Sequence, residues 1–233
     1  TAVLVVAPNR REVVTGPQLR VLHYDEELEV LELSTGRPKS DDDLLPTCFL
    51  QVQGNKVSDR VFLQTADHVD LELMLSYRVS FVGDNERWFS VKDYVGLLCD
   101  HLASIIRATG RAHGIEVFHR ESASILRRAI LGAHAEEGER AGRHFSENGM
   151  WVYDLEVLAV NILDEEVKDM LWKAQRKSIA SAIARNQEQL RLGDEALRVD
   201  LVHRVAPLGR LTGGARVHLL RHGSGGALGG GGD

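Results

Sequence analysis

Asp67 and His68 are the neighbouring residues in this sequence best suited to chemistry, because a carboxylate beside an imidazole can fix its tautomer and hold it as a base. Such a base needs a nucleophile, and no serine or cysteine stands next to the pair. Thr65 to His68 is a short polar stretch rich in backbone-bonding side chains, which suits a tight reversal better than catalysis. Asp41, Asp42 and Asp43 form an acidic run that could attract calcium. No EF-hand spacing follows and no glutamate closes the loop, so a solvated loop is expected. His101 and His113 are isolated and lack metal-ligand spacing. Glu136 and Glu137 are paired carboxylates, but they sit in a glycine-punctuated loop, a poor platform for catalysis. Asp70 and Glu72 are expected on the solvated face of a strand. Cys48 and Cys99 each lie inside an apolar run with no CxxC partner, and read as buried free thiols in a reducing compartment. G-x-S-x-G, Walker A, H-E-x-x-H and G-x-G-x-x-G are all missing. The sequence therefore offers no catalytic, cofactor-binding or metal-ligating residue, and it points away from an enzyme. An enzyme working through Asp67 and His68 is the lowest-ranked alternative.

The elements that would position these residues centre on Val57 to Val82. From Val69 the apolar residues alternate as Val69, Leu71, Leu73, Leu75, Tyr77, Val79 and Phe81, with Asp70, Glu72, Ser76, Arg78 and Ser80 between them. Period two means a strand with one dry and one wet face, Met74 being the lone apolar residue on the wet side. Val57 to Gln64 pairs with it as a hairpin through Thr65–His68. Upstream, Ala2 to Ala7 and Arg11 to Thr15 read as two short strands, Leu28 to Leu33 as a third and Thr47 to Val52 as a fourth. Downstream the period changes. Ser90 and Asp93 fit a capping box before a helix over about Val91 to Thr109, with Gly110 and Gly114 as breakers. A second helix is expected from about Phe118 to Leu131, stopped by Gly132. A charged loop follows over 132–149, then a strand from Met150 to Ile162. Asp164 suits the N-cap of a long helix, and Glu165 and Glu166 favour its positive end. The apolar stripe of that helix is narrow, and such a helix wants a partner helix rather than a sheet.

At 233 residues the chain has room for one domain with a real core plus appendages, or at most two small domains. With 43% apolar and 27% charged residues it has ordinary globular composition, and a net charge of −6 argues against bulk attraction to nucleic acid or anionic membrane. No apolar run approaches the ~20 residues of a membrane helix, and no signal peptide is visible. The first residue is Thr1, which suits a piece of a longer polypeptide. Ten of the 22 glycines lie beyond Val199, among arginines and histidines. This end is read as disordered or out of frame, against the alternative of a basic RNA-touching tail.

Several linked segments resemble one family. Val14-Thr15-Gly16-Pro17 is similar to its V-x-G-P turn, and Val30 to Lys39 to its V-L-x-L-S-x-G-x-P-K segment. Asp59 through Thr65-Ala66-Asp67-His68, with Leu71, Leu73, Leu75 and Tyr77, resembles its D-x-x-x-x-x-T-A-D-H hairpin. Trp88 to Val95, and Phe118 through Ser122 to Arg127, continue in register. The family is the SPFH (stomatin, prohibitin, flotillin; band 7) superfamily, and within it the shoulder domain of the major vault protein family. The resemblance implies an α+β fold: an antiparallel sheet packed by helices, then a long C-terminal helix and a disordered tail. It implies a shoulder domain over 1–163, the start of a cap-type helix over 164–198, and a tail over 199–233. It also implies a structural role, with copies standing side by side in a large cytoplasmic ribonucleoprotein shell. The partner would be the chain itself, with other vault-type proteins and RNA inside the particle. The alternative is a membrane-associated stomatin- or prohibitin-like scaffold.

Overall fold

The computed structural model describes residues 1–134 and 140–205. The fold is α+β, with antiparallel sheets and a long C-terminal helix. Two compact units divide at Lys173/Ala174.

The first unit is built on the expected hairpin. Strand β6 (Asn55–Gln64) pairs with β7 (Asp70–Phe81) in continuous antiparallel register from Asn55 opposite Val79 to Gln64 opposite Asp70. β7 also pairs with β9 (Met150–Ile162), which carries β8 (Arg143–Phe145) on its far edge. The sheet order is therefore β6-β7-β9-β8. The dry face of β7 is closed: Leu71, Leu73, Leu75, Tyr77 and Val79 have no exposed surface. Helix α1 (Tyr94–Arg111) and helix α2 (Ile115–Leu131) supply the cover through Leu98, Leu102, Ile106, Phe118, Leu126 and Ile130. Their apolar residues recur three and four apart, so each helix turns one stripe to the sheet.

Five shorter strands precede the hairpin. β1 (Ala2–Ala7) lies between β2 (Arg10–Thr15) and β3 (Glu27–Leu28), and β4 (Leu31–Ser34) pairs with β5 (Leu44–Thr47). The run Leu28 to Leu33 is thus not one strand. Its first residue belongs to one sheet and its last three to another, because the chain changes partners at Glu29-Val30. Thr47 to Val52 is not a strand either. Leu50 leaves β5 to exchange two backbone bonds with Ala2, of 2.7 and 2.9 Å, and is fully buried there.

Other expectations shift with reasons. The N-cap of α1 is Asp93, not Ser90: its carboxylate accepts from Gly96 N at 3.0 Å and from Ser34 N at 2.9 Å, and also takes the Ser34 hydroxyl. Gly110 does not break α1 but lies within it, where a Cβ would come 2.5 Å from Leu63 Cδ1. Gly132 does end α2, at φ 87°, a conformation that strains any side chain. The 132–149 stretch contains β8 rather than being loop throughout. Ser76 is fully buried although it lies on the wet face. It is a short side chain on the central strand, with Met74 and Arg78 beside it and Glu156 opposite.

Helix α3 runs Glu165–Val205. Asp164 caps it, accepting from Glu166 N at 2.9 Å and Val167 N at 3.2 Å. Val167 and Leu171 pack on the core of the first unit. In the second unit the helix passes through Gly193 and beyond Val199, with Ile179, Ile183, Leu190 and Leu192 exposed. The glycine-rich tail from 206 onward lies outside the described residues.

Candidate functional site

Three neighbouring features meet at the closed end of the β6–β7 hairpin: the Thr65–His68 turn, the start of α2 and the entry to α3. The turn is tied at its base by Thr65 N to Val69 O at 3.0 Å and Val69 N to Thr65 Oγ1 at 3.1 Å. His68 sits at φ 62°, the left-handed region that a reversal demands and that only a few non-glycine residues tolerate. Helix α2 starts from Gly114, which has no side chain to cap it. Asp67 fills that role from the turn: its two carboxylate oxygens lie 3.1 and 3.0 Å from Ile115 N, and Thr65 Oγ1 donates to the same group. Ala66 N adds a bond to His113 O at 2.9 Å.

The electrostatics fit this structural role. Partial burial pushes the Asp67 carboxyl up, but the bonds from the Thr65 hydroxyl and Ile115 N–H, with the nearby His68, more than offset it and hold the group below its usual range. His68 does not serve a nucleophile: its Nδ1 lies 3.4 Å from Gln64 Oε1. The pair that could do chemistry is therefore a turn residue and a helix cap.

The remaining candidates are scattered. His113 Nδ1 bonds Thr109 O at 2.9 Å, and His101 packs edge-on to Phe145 and approaches Arg143 at 3.4 Å. Asp41, Asp42 and Asp43 are exposed. Glu136 and Glu137 lie outside the described residues. Cys99 is buried and Cys48 half-buried, and both are free thiols. Burial, with Asp59 beside it, pushes the Cys99 thiol well above its ordinary range, so it is a poor nucleophile. Among the described residues no group of three or more His, Cys, Asp or Glu side chains is placed to hold a metal ion. Among them, too, no helix is long and apolar enough to cross a membrane.

The wet face of the sheet pairs charge across strands. Arg60 Nη1 reaches Glu72 at 3.2 Å, Asn161 Nδ2 donates to Glu72 at 2.9 Å, and Lys56 and Arg78 both stand 3.9 Å from Glu156. Exposed pairs of this kind contribute only tenths of a kcal/mol each, about 0–1 at most. Their effect is to order an open face, with Asp70 and Glu72 bound to neighbours rather than simply solvated. Sequence reasoning missed the cap on α2 because its donor and acceptor are far apart in the chain. It missed the cluster at the end of the hairpin for the same reason.

The architecture defines a four-stranded antiparallel sheet covered by two helices and followed by a long helix. Its particular kind is given by comparison with known proteins. Residues 53–164 match the family model of the vault shoulder, described as "Shoulder domain". The chain is 36% identical over 188 residues to a major vault protein of Trypanosoma cruzi, covering 78% of this chain and 22% of that one. It is 35% identical over 196 residues to the Diplobatis ommata protein of the same name, covering 79% and 23%, and 34% identical over 197 residues to that of Gallus gallus, covering 82% and 23%. Over residues 53–164 the chain is thus similar to the shoulder domain of major vault proteins. The chain spans less than a quarter of the length of these curated relatives.

Proposed function

We propose that this chain is a structural subunit of a vault-like ribonucleoprotein shell, standing beside copies of itself through the shoulder domain and the long helix. The shoulder match over residues 53–164 carries this reading. The described surfaces agree with it. The sheet ends in two edge strands, β6 and β8, and α3 presents exposed Met170, Ile179, Ile183 and Leu190. Apolar residues exposed along one helix are a cost to an isolated chain and a contact for a neighbour. On this reading the shoulder occupies 1–163, a cap-type helix begins at 164–198, and residues 199–233 form a tail. The same proposal includes an SPFH-type fold, a cytoplasmic shell, and other vault-type proteins and RNA inside it. The role is architectural, not catalytic.

The test is assembly. Sedimentation velocity and negative-stain electron microscopy of the purified protein, at high concentration in low salt, should show species much larger than a monomer with a common rotational repeat. A protein that stays monomeric under these conditions overturns the reading.

A further inference from the structure

A cleft of about 520 Å³ opens where the β6–β7 hairpin, the last turn of α1 and the entry to α3 meet. Its walls are of mixed sign. Arg107 and Arg111, one turn apart on α1, face it together with Asp70 and Asp164. Phe62 and Leu163, 45% and 49% exposed, give it apolar surface. Arg107 Nε donates to Phe62 O at 3.3 Å, and among the described residues neither guanidinium is ion-paired. A small anion is a poor occupant because two carboxylates share the walls. An occupant that fits must be extended, with both charges and an apolar centre.

The first turns of α3 carry that pattern. Glu166, Asp169, Met170 and Lys173 recur at i, i+3, i+4 and i+7 and so share one face of the helix. All four are exposed, Met170 by 60%. Val167 and Leu171 use a different face to pack on the core. Glu166 and Asp169 take part in no ion pair among the described residues, whereas Glu165 is held by Lys168 at 3.0 Å.

We propose that this face of α3 docks in the cleft of a second copy of the chain. Glu166 and Asp169 meet Arg107 and Arg111, Met170 covers Phe62 and Leu163, and Lys173 meets the acidic wall. The contact rests on the shell-subunit reading and gives it residues. The two patches are different, so the contact is heterologous: each copy offers a helix face to one neighbour and a cleft to the other, and a rotation that closes makes a ring.

Sedimentation equilibrium of the full chain tests it. Wild type should self-associate, and less so as salt rises, because exposed charge pairs are screened. Arg107→Glu with Arg111→Glu turns attraction into repulsion and should weaken association roughly tenfold or more. Adding Glu166→Arg and Asp169→Arg to the same chain should restore it. Circular dichroism melting of each variant checks folding, with Arg107→Gln and Arg111→Gln as milder substitutes should the reversal unfold the domain. In a Cys48→Ser background, Arg111→Cys with Asp169→Cys should give disulfide-linked dimers on oxidation. Wild type that associates while the reversed variant associates equally, and while the cysteine pair stays unlinked, overturns this contact and leaves the shell reading intact. Wild type that stays monomeric overturns the shell reading and this contact with it.

Discussion

Asp67 caps a helix that begins 48 residues later in the chain, its carboxylate receiving the Ile115 N–H at 3.0 and 3.1 Å. The first amides of any helix lack intrahelical partners, and Gly114 has no side chain to offer. One residue in the hairpin turn therefore fixes where α2 starts, while Ala66 N and His113 O fix where α1 ends. The T-A-D-H turn is a clasp between the sheet and both of its covering helices.

Asp67→Ala should lower stability by about 1 kcal/mol, the typical cost of losing a side-chain cap. Asp67→Asn should cost less, since the amide oxygen still accepts. Urea denaturation of the full chain checks the order wild type, then Asn, then Ala. Equal stability for all three would show that the clasp contributes nothing.

Acid should release the same clasp. The Asp67 carboxyl is held below its ordinary value of 3.8 in the folded protein. A group depressed on folding contributes its full share above the unfolded pKa and loses it as pH falls through the folded value. Wild type should therefore lose more stability than Asp67→Asn between pH 5 and pH 2, a window set on the order of the carboxylate range. Melting curves across that range, parallel for the two proteins, would contradict the linkage.

The hairpin, the helices and β9 were legible in the sequence because their signals are local. Alternation from Val69 to Phe81 survives any choice of partner, and the three- and four-residue spacing in α1 and α2 fixes a buried stripe. What was not legible is decided at long range. Ser90 and Asp93 are both good caps, and Asp93 prevails because Ser34, 59 residues away, binds it through amide and hydroxyl. Gly110 reads as a breaker, but it is the small residue that lets α1 lie against Leu63. Leu28 to Leu33 has strand composition throughout, and composition does not record that the chain changes sheets at Glu29-Val30. The Asp67–His68 pair has the residue types of a catalytic dyad, and only its geometry, with the carboxylate turned to Ile115, shows a cap instead.

His68 offers a test of the catalytic alternative against the structural one. At φ 62° an ordinary side chain costs roughly 1–2 kcal/mol, a penalty that glycine avoids. His68→Gly should hold or raise the melting temperature, and His68→Val, β-branched and stiff, should lower it. If the imidazole worked as a base, both changes would in addition remove an activity, which the structural role does not require.

Two glycines should respond to the same substitution with opposite signs. Gly149 lies at φ 67°, between β8 and β9, and a Cβ there would stand 2.5 Å from Val82 O. That oxygen is backbone, and Gly149 O itself accepts from Val82 N at 2.8 Å, so neither side can move without opening the link. Gly149→Ala thus combines a forbidden dihedral with a clash, and should destabilise by more than about 1 kcal/mol. Gly193 lies inside α3 with nothing within 4 Å of an added Cβ. There alanine meets no obstacle and restricts the unfolded chain, so Gly193→Ala should raise helix stability by up to about 1 kcal/mol. Thermal unfolding monitored by helical circular dichroism measures both. Loss at Gly149 with gain at Gly193 supports the two placements, and a gain at Gly149 would mean that the β8–β9 turn is built differently.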